Sequence, residues 1–432
     1  MQGAAPLTDL VLRGGLVFGA RGESVADVAI AAGRVAEVSP EVVNPNGAPE
    51  IDCRGSWVGP GFVDLHTHLR EPGGEHKEDV ASGSKAAAAG GYTAIVAMPN
   101  TEPAIDSGPL VRFVREKGVA AGIVDVLPAG TLTAGRAGLR PADLDGMFAD
   151  GVRMFTDDGD TVADSALLHQ IMESLAGLGG IVTEHALDPA AAGGGHMRSG
   201  RIAEHHHIAG ISAKAEALII RRDLDLVRKT GVQFHIQHLS TAAAVELVAV
   251  AKQEGLPVTA EVTPHHLAFD LSVLADEADP AYKMMPPLGT AEDVAALRSG
   301  LRSGVIDAVA TDHAPHSVAE KAVPFEQAPF GVLGLADAAA VVHTALRLEP
   351  RTFFERLAVK PAAIARAEGH GRWVEPGIDA NLVVFDPLAN SVVTRTHSKS
   401  RNSPYLGRAF DGSVLCTLLR GQTTYVKELS VG

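Results

Sequence analysis

The sequence predicts an α/β protein: a (β/α)8 barrel of the TIM type, with a small β-sandwich domain formed by both termini. Two observations predict it. Eight short apolar runs that stop at polar or glycine residues alternate with helix-like stretches along the middle of the chain. Both ends contain short strand-like segments with turns instead. Alternating strands and helices are typical of a parallel sheet, and eight such units close into a barrel.

The candidate strands of the barrel are 61–65, 93–97, 123–127, 152–155, 181–183, 233–236, 258–262 and 308–310. Helix-like stretches fill most of the intervals, at 79–89, 165–178, 215–229, 242–253 and 291–300. The strand-like ends lie at 10–38 and 381–425. We therefore expect a barrel domain at 59–372, between the two parts of a small β domain at 1–58 and 373–432.

Length and composition are those of a globular protein. The chain has 432 residues, of which 46% are hydrophobic and 21% charged, so a large buried core is expected. The first residues lack the basic start and long apolar run of a secretory signal. The apolar stretch at 86–98 is interrupted by glycines and is too short to span a bilayer. We expect a cytoplasmic protein without membrane contact.

Charge and cysteine content restrict the chemistry. A net charge of -15 argues against a nucleic-acid partner, because binding to phosphates relies on clustered Lys and Arg. The only cysteines, Cys53 and Cys416, provide neither a disulfide framework nor a cysteine metal cluster. Any bound metal must therefore have His and carboxylate ligands, and the expected partner is a small molecule.

Histidines and aspartates follow the candidate strands. His66 and His68 lie two residues apart at the end of the first strand, so both imidazoles point to the same face. Further candidate ligands follow strands four, five, six and eight: Asp157, Asp158, His185, His238 and Asp312. In a barrel these strand ends meet at one rim. Four His and two or three Asp there fit two zinc ions, and the sequence predicts a metal-dependent enzyme.

Five motifs carry a resemblance to a known family. They are GPGFVDLHTHLREPG at 59–73, MPNT at 98–101, FTDDG at 155–159, QHLS at 237–240 and ATDHAPH at 310–316. With these motifs the chain, over about residues 10–427, resembles the amidohydrolase superfamily and within it the bacterial class I dihydroorotases. The resemblance implies two Zn²⁺ per subunit, with one metal held by His66, His68 and Asp312, the other by His185 and His238, and Asp158 as the bridge. Strand alternation alone leaves Asp157 open as the bridging residue.

The resemblance also implies a reaction. Dihydroorotases are hydrolases of cyclic amides that interconvert N-carbamoyl-L-aspartate and L-dihydroorotate in pyrimidine (UMP) biosynthesis. Metal ions would lower the pKa of a water and polarise a carbonyl group, and Asp312 would pass a proton between the attacking water and the leaving ring nitrogen as the catalytic residue. Arg70, on the same face as His68, can hold a substrate carboxylate with its bidentate fork. The expected substrate-binding residues are His68, Arg70, Asn100, His316, Phe330 and Gly331.

One position departs from the family pattern. Class I dihydroorotases resemble KMNPPL where this chain has KMMPPL at 283–288, so Met285 replaces an asparagine and forms no strong hydrogen bond. One alternative is therefore another cyclic-amide hydrolase, of the hydantoinase or allantoinase type, although strand four lacks the lysine that bridges the metals in such relatives. A second is a non-catalytic dihydroorotase-like partner of aspartate transcarbamoylase, but such subunits lose metal ligands that this chain keeps. These ligands are also compatible with cobalt or manganese in place of zinc. Neither a homo-oligomer nor an association with aspartate transcarbamoylase conflicts with the sequence.

Overall fold

The structure is a computed structural model that describes residues 8–427. Residues 1–7 and 428–432 lie outside the described part, and with them most of the segment assessed for a secretory signal and the outer ends of the small β domain. The strands are, in chain order, β1 Leu10–Gly19, β2 Gly22–Ala31, β3 Arg34–Ser39, β4 Glu50–Asp52, β5 Trp57–Pro60, β6 Phe62–Thr67, β7 Tyr92–Ala97, β8 Asp125–Pro128, β9 Met154–Phe155, β10 Ile181–Glu184, β11 Met197–Arg198, β12 Gly210–Ile211, β13 Gln233–Ile236, β14 Val258–Val262, β15 Ala308–Val309, β16 Leu382–Val392, β17 Ala409–Leu419 and β18 Gln422–Val426.

The α-helices of the described residues are α1 Val80–Ala89, α2 Gly108–Ala121, α3 Leu144–Ala149, α4 Ser165–Leu178, α5 Pro189–Ala192, α6 Arg201–His205, α7 Lys214–Thr230, α8 Ala242–Gln253, α9 Pro264–Ala268, α10 Ala291–Ser303, α11 Val318–Lys321, α12 Ala338–Leu346, α13 Pro350–Phe354 and α14 Lys360–Ala365. Several begin at side-chain caps. Asp79 and Ser82 form a capping box at α1, and Thr290 and Asp293 form one at α10, which satisfies backbone N–H groups that a helix leaves free. None of the helices in residues 8–427 is long and apolar enough to cross a membrane.

The barrel has the eight strands that the sequence predicts. β6, β7 and β8 pair in parallel, as do β9, β10, β13, β14 and β15. Parallel bridges join the two groups, from Gly130 to Phe155 on one side and from Thr67 to His313 on the other, so the sheet closes on itself. The barrel prediction is confirmed, and the carboxyl ends of the strands meet at one rim.

Both chain ends contribute to one eight-stranded sheet, in the order β18-β17-β16-β5-β1-β2-β3 with β4 beside β1. β16 pairs antiparallel with β5, opposing Leu382 to Pro60, so the C-terminal strands continue the N-terminal sheet. Buried apolar side chains from both parts share a core, including Val28, Val58 and Leu418. This confirms the prediction of a small β domain built from the two termini. Its strand β5 ends directly before β6, which carries the first functional residues.

Candidate metal centre

Four histidines and two aspartates come together at the rim of the barrel. Asp158, after β9, is central: its Oδ1 lies 3.3 Å from His66 Nε2 and 3.8 Å from His185 Nδ1, and its Oδ2 lies 3.4 Å from His68 Nε2. His238 Nε2 lies 2.8 Å from His185 Nδ1. Two groups, His66–His68–Asp158 and Asp158–His185–His238, each have ligand atoms within 4.8 Å of one another and share Asp158. The structure thus gathers side chains from four strand ends around one carboxylate.

Asp312, after β15, joins the cluster from the last strand of the barrel. Its Oδ1 lies 3.0 Å from His68 Nε2 and 3.5 Å from His66 Nε2. Asp64 on β6 holds this end of the barrel in place, because its carboxylate accepts hydrogen bonds from the Thr311 backbone N–H at 2.9 Å and from the Thr311 hydroxyl at 2.5 Å. All six residues that the sequence predicts as metal ligands therefore lie within one cluster.

The two adjacent aspartates face in different directions. Asp157 Oδ1 accepts hydrogen bonds from the backbone N–H groups of Leu132 and Thr133, at 2.9 and 3.0 Å, and the Thr133 hydroxyl donates to its other oxygen. Asp157 therefore fixes the loop after β8, whereas Asp158 faces the histidines. Adjacent residues point to opposite sides in extended chain, and here the second aspartate of the pair points to the cluster.

The electrostatics of the cluster favour a cation. Burial opposes charge on Asp158 and Asp312, but the neighbouring histidines outweigh it and hold the pKa of both carboxyls below the usual range. Burial also opposes protonation of His66, yet Asp158 and Asp312 raise its pKa well above the usual value. Burial, His185 and His66 lower the pKa of His238 to about 3. The cluster thus combines ionised carboxylates, which attract positive charge, with a neutral imidazole.

A divalent metal fits these residues. His66 Nε2 is buried and has no hydrogen-bond partner in the described part of the chain, although it faces both carboxylates. Imidazole nitrogens and carboxylate oxygens are the ligands that zinc uses where cysteine is absent. The donor set, the unpaired nitrogen and the local negative charge together make this a candidate site for metal ions.

Sequence reasoning missed Glu261 on β14. The side chain is fully buried, its Oε1 accepts from His66 Nδ1 at 2.9 Å and its Oε2 accepts from His235 Nε2 at 3.0 Å. Burial opposes its ionisation, but these two histidines lower its pKa to about 2. The available signal was an acidic residue inside the otherwise apolar or small strand segment VTAEV, which the strand prediction did not use.

A cavity of about 350 Å³ opens beside the cluster, and it contains every substrate-binding residue that the sequence predicts. Its lining comprises His68, Arg70, Asn100, Asp158, Gly159, His185, Leu187, His238, Met285, Asp312, Ala314, His316, Phe330 and Gly331. Met285 and Leu187 give the wall an apolar part, and they also pack against the same small cluster beside α5. The cavity therefore combines candidate metal ligands with the positively charged guanidinium of Arg70 and an apolar surface.

The polar groups of the cavity are held by short contacts. The Arg70 guanidinium donates to Pro315 O at 3.2 Å, and burial lowers its pKa to about 10, so it stays protonated at neutral pH. His316 Nε2 donates to Phe330 O at 2.8 Å, which leaves its buried Nδ1 without a partner in the described residues. Asn100 Oδ1 accepts from His68 Nδ1 at 2.9 Å. These groups are positioned before any ligand binds.

Three cavity residues have unusual backbone geometry. Arg70, His238 and Asp312 have φ angles of 61°, 28° and 46°, in the left-handed region that favours glycine. Such strain costs of order 1–3 kcal/mol for each residue and persists only where the surrounding structure enforces it. Its concentration at the cavity indicates that these side chains are held in directions that ordinary strand geometry would not give.

The segment from His316 to Phe330, which contains α11, has both of its ends in the cavity lining and is held by a buried lysine. Lys283 Nζ donates to Phe325 O at 2.8 Å and to Glu326 O at 3.0 Å, and lies 4.5 Å from the centre of the Phe330 ring. Lys321, on α11, donates in return to Lys283 O at 3.2 Å. These bonds connect the segment that ends at Phe330 with the segment that contains Met285.

The barrel with its rim cluster of His and Asp, together with the following matches, assigns the chain to the class of cyclic-amide hydrolases within the amidohydrolase superfamily. The fold matches solved structures of this class: L-hydantoinase (dihydropyrimidinase) from Arthrobacter aurescens, with a TM-score of 0.84, 25% identity and 96% of each chain covered, and a dihydropyrimidinase from Brevibacillus agri, with a TM-score of 0.83, 23% identity and 96% and 94% covered.

A family model described as dihydro-orotase-like matches residues 55–244. Curated proteins named dihydroorotase match nearly the whole chain. That of Mycobacterium bovis (strain ATCC BAA-935 / AF2122/97) is 42% identical over 423 residues, covering 96% of this chain and 98% of its own, and that of Anaeromyxobacter sp. (strain K) is 43% identical over 410 residues, covering 93% and 94%. The chain belongs to the dihydroorotase family.

Proposed function

We propose that this chain catalyses the reversible cyclisation of N-carbamoyl-L-aspartate to L-dihydroorotate. The observation that carries the proposal is a single cavity lined both by the His and Asp cluster and by the buried Arg70 guanidinium. The substrate carries a cyclic amide to be hydrolysed and a carboxylate that does not react. The cavity offers a matching group for each, and relatives named dihydroorotase at 40–43% identity support this assignment.

The proposed cofactor is two Zn²⁺ per chain. His66, His68 and Asp312 would hold one ion, His185 and His238 the other, and Asp158 would bridge them, in agreement with its contacts to both groups. When bound, the ions lower the pKa of a water and polarise the carbonyl oxygen. His238 is neutral and Asp158 is ionised at neutral pH, which suits both to metal binding, whereas His66, whose pKa the two carboxylates raise, would release a proton when it binds an ion.

Asp312 is the proposed general base and acid. Its carboxylate is ionised, lies among the cluster ligands and lines the cavity, so it can accept a proton from the attacking water. It then delivers that proton to the ring nitrogen that leaves. In the direction of cyclisation, Asp312 takes a proton from the ureido nitrogen as the N–C bond forms, and returns it to the oxygen that leaves the reacting carboxyl group as the C–O bond breaks.

Arg70 is proposed to bind the unreactive carboxylate of the substrate. A guanidinium matches a carboxylate with two parallel hydrogen bonds, and its burial strengthens both. The amide N–H of Asn100 lies in the same lining and can donate to this carboxylate, whereas the unpaired Nδ1 of the neutral His316 can only accept, from an N–H group of the substrate. Met285 lies where a polar ring contact would be expected from the family pattern, so Arg70 carries a larger share of recognition here.

The decisive experiment measures dihydroorotate hydrolysis and bound metal on the same preparation. We expect turnover together with about two metal ions per chain. Adjacent variants give a matched control: Asp158→Asn should lose both metal and turnover, whereas Asp157→Asn should keep the metal, since Asp157 bonds to the 132–133 loop. Turnover of hydantoin or allantoin without turnover of dihydroorotate would instead favour the alternative cyclic-amide hydrolase.

Assembly is proposed from the family resemblance, and location from the sequence features described above. We propose a cytoplasmic homo-oligomer that associates with aspartate transcarbamoylase. Size-exclusion chromatography with light scattering, on the purified chain alone and mixed with aspartate transcarbamoylase, tests both the self-association and the association with the transcarbamoylase. A monomer that does not co-elute with the transcarbamoylase contradicts them.

A further inference from the structure

Glu261 binds two histidines with a single buried carboxylate. Its Oε1 accepts from His66 Nδ1 at 2.9 Å and its Oε2 from His235 Nε2 at 3.0 Å. His235 is itself fixed, because the Thr259 hydroxyl lies 2.8 Å from its Nδ1. Glu261, His235 and Thr259 all lie on β13 or β14, so neighbouring strands hold the carboxylate rigidly. Among the cavity residues, His238 contacts Glu261 only through its backbone N–H, so the side-chain contact from Glu261 to the site goes through His66.

The chemistry of this arrangement determines the tautomer of His66. An ionised carboxylate can only accept hydrogen bonds, so the ring nitrogen facing it must carry the hydrogen. In a neutral imidazole the other nitrogen then has a free lone pair. That nitrogen is Nε2, which is buried, unpaired in the described residues, and 3.3 Å from Asp158 Oδ1. When His66 is neutral, as it must be to bind a cation, Glu261 therefore leaves its lone pair facing the place where the cation fits.

The same carboxylate also supports the turn that carries His238. The backbone N–H of His238 donates to Glu261 Oε1 at 3.3 Å, at a residue whose φ is 28°. One oxygen thus contacts the side chain of a residue in the first ligand group and the backbone of a residue in the second. Removing the negative charge would act mainly on His66, where the bond is shorter and orients the ring.

We propose that Glu261 is a positioning residue that sets the tautomer and orientation of His66, and thereby the affinity of the His66–His68 site for its metal ion. The inference rests on the metal centre of the proposed function. Carboxylates that accept from the second nitrogen of a ligating histidine are common in metal sites, and their loss reduces metal affinity by about 10–100-fold. Here His66 and His235 each bond to one oxygen of the carboxylate, so we expect a loss of affinity in the upper part of that range.

The test is a zinc titration of the metal-free full-length protein against a chelating indicator. The wild type is expected to show two sites. In Glu261→Gln the amide keeps the size of the side chain but presents a hydrogen-bond donor in place of one acceptor. We expect one site to weaken by about 10–100-fold and the other to weaken less. Thr259→Val is the matched control, because it removes a bond to His235 and leaves the contact between Glu261 and His66, and its isotherm should match the wild type.

A second measurement needs no variant. Nitrogen NMR of the zinc-loaded wild type should show the hydrogen of His66 on Nδ1, and finding it on Nε2 overturns the proposal. An unchanged zinc isotherm in Glu261→Gln also overturns it, as does an equal weakening of both sites that follows a loss of thermal stability, since a merely structural role would act that way. Two tight sites without dihydroorotate turnover would refute the proposed function and leave this test intact.

Discussion

Asp125 connects the barrel to the sheet built from both termini, and its replacement by asparagine should weaken that connection. The carboxylate lies at the start of β8 and accepts from Arg420 Nη1 at 2.6 Å and Nη2 at 3.0 Å, and from His370 Nε2 at 2.8 Å. Arg420 directly follows β17 of the terminal sheet. Burial opposes ionisation of Asp125, but His370 and Arg420 outweigh it and lower its pKa to about 2.

The magnitude follows from that shift. A decrease from the ordinary 3.8 to about 2 corresponds to roughly 2.5 kcal/mol at about 1.4 kcal/mol per pKa unit. The side chain is 32% exposed, so screening by solvent reduces the expected loss in Asp125→Asn to about 1–2 kcal/mol at pH 7. Because the folded pKa lies below the unfolded one, this stability is present above pH 3.8 and is lost as the pH falls toward 2.

Urea unfolding of the wild type and Asp125→Asn at pH 7 and at pH 3 measures the effect. We expect the difference in unfolding free energy to fall by about half at pH 3. Asp52→Asn is the control: Arg54 also lowers the pKa of Asp52 to about 2, but this ion pair is exposed on the surface and its loss should leave stability unchanged. A loss for Asp125→Asn that is equal at both pH values, or a similar loss for Asp52→Asn, would refute the reasoning.

Three further predictions concern the cavity. Arg70→Lys should raise KM for dihydroorotate by about 10–100-fold in steady-state assays, because a lysine cannot reproduce the bidentate fork, and an unchanged KM would contradict carboxylate binding. Asp312→Asn should give a folded protein, by circular dichroism, whose kcat is reduced by at least about 100-fold, whereas near-normal rates at saturating zinc would exclude its role in proton transfer. Lys283→Met should raise KM and speed hydrogen exchange at residues 322–331, since the carbonyls of Phe325 and Glu326 lose their donor, and unchanged exchange would show that the segment is held in another way.

Much of the fold could be predicted from the sequence because the barrel repeats one simple pattern. Strand and helix alternate through the whole middle of the chain, and the predicted helices at 165–178 and 242–253 coincide with α4 and α8. The strand predicted at 152–155 is shorter in the structure, where β9 is Met154–Phe155. The physical reason is that the Val152 N–H donates to Met147 O, so this residue ends the turn after α3 and does not pair in the sheet.

The cluster of predicted ligands could be found from the sequence because each lies at or after the end of a strand, and strand ends converge in a barrel. Strand alternation alone could not decide between Asp157 and Asp158, for which the family resemblance was needed, because the choice depends on which of the two bonds to the loop after β8. Glu261 was missed for a related reason. Its importance comes from contacts with His66 and His235 on other strands, and an acidic residue within an apolar strand does not by itself show which residues it contacts.

The junction of β6 with the end of β15 has a consequence for how the protein is made. His68 and Asp312 are 244 residues apart in the sequence, and Thr311 and Asp64, which are hydrogen-bonded, are 247 residues apart. During synthesis, the ligands on β6 emerge long before Asp312, so the complete ligand set exists only after the barrel has closed. A metal ion that binds this set would stabilise the closed chain and not its partly synthesised forms. Metal uptake would therefore report the completion of folding.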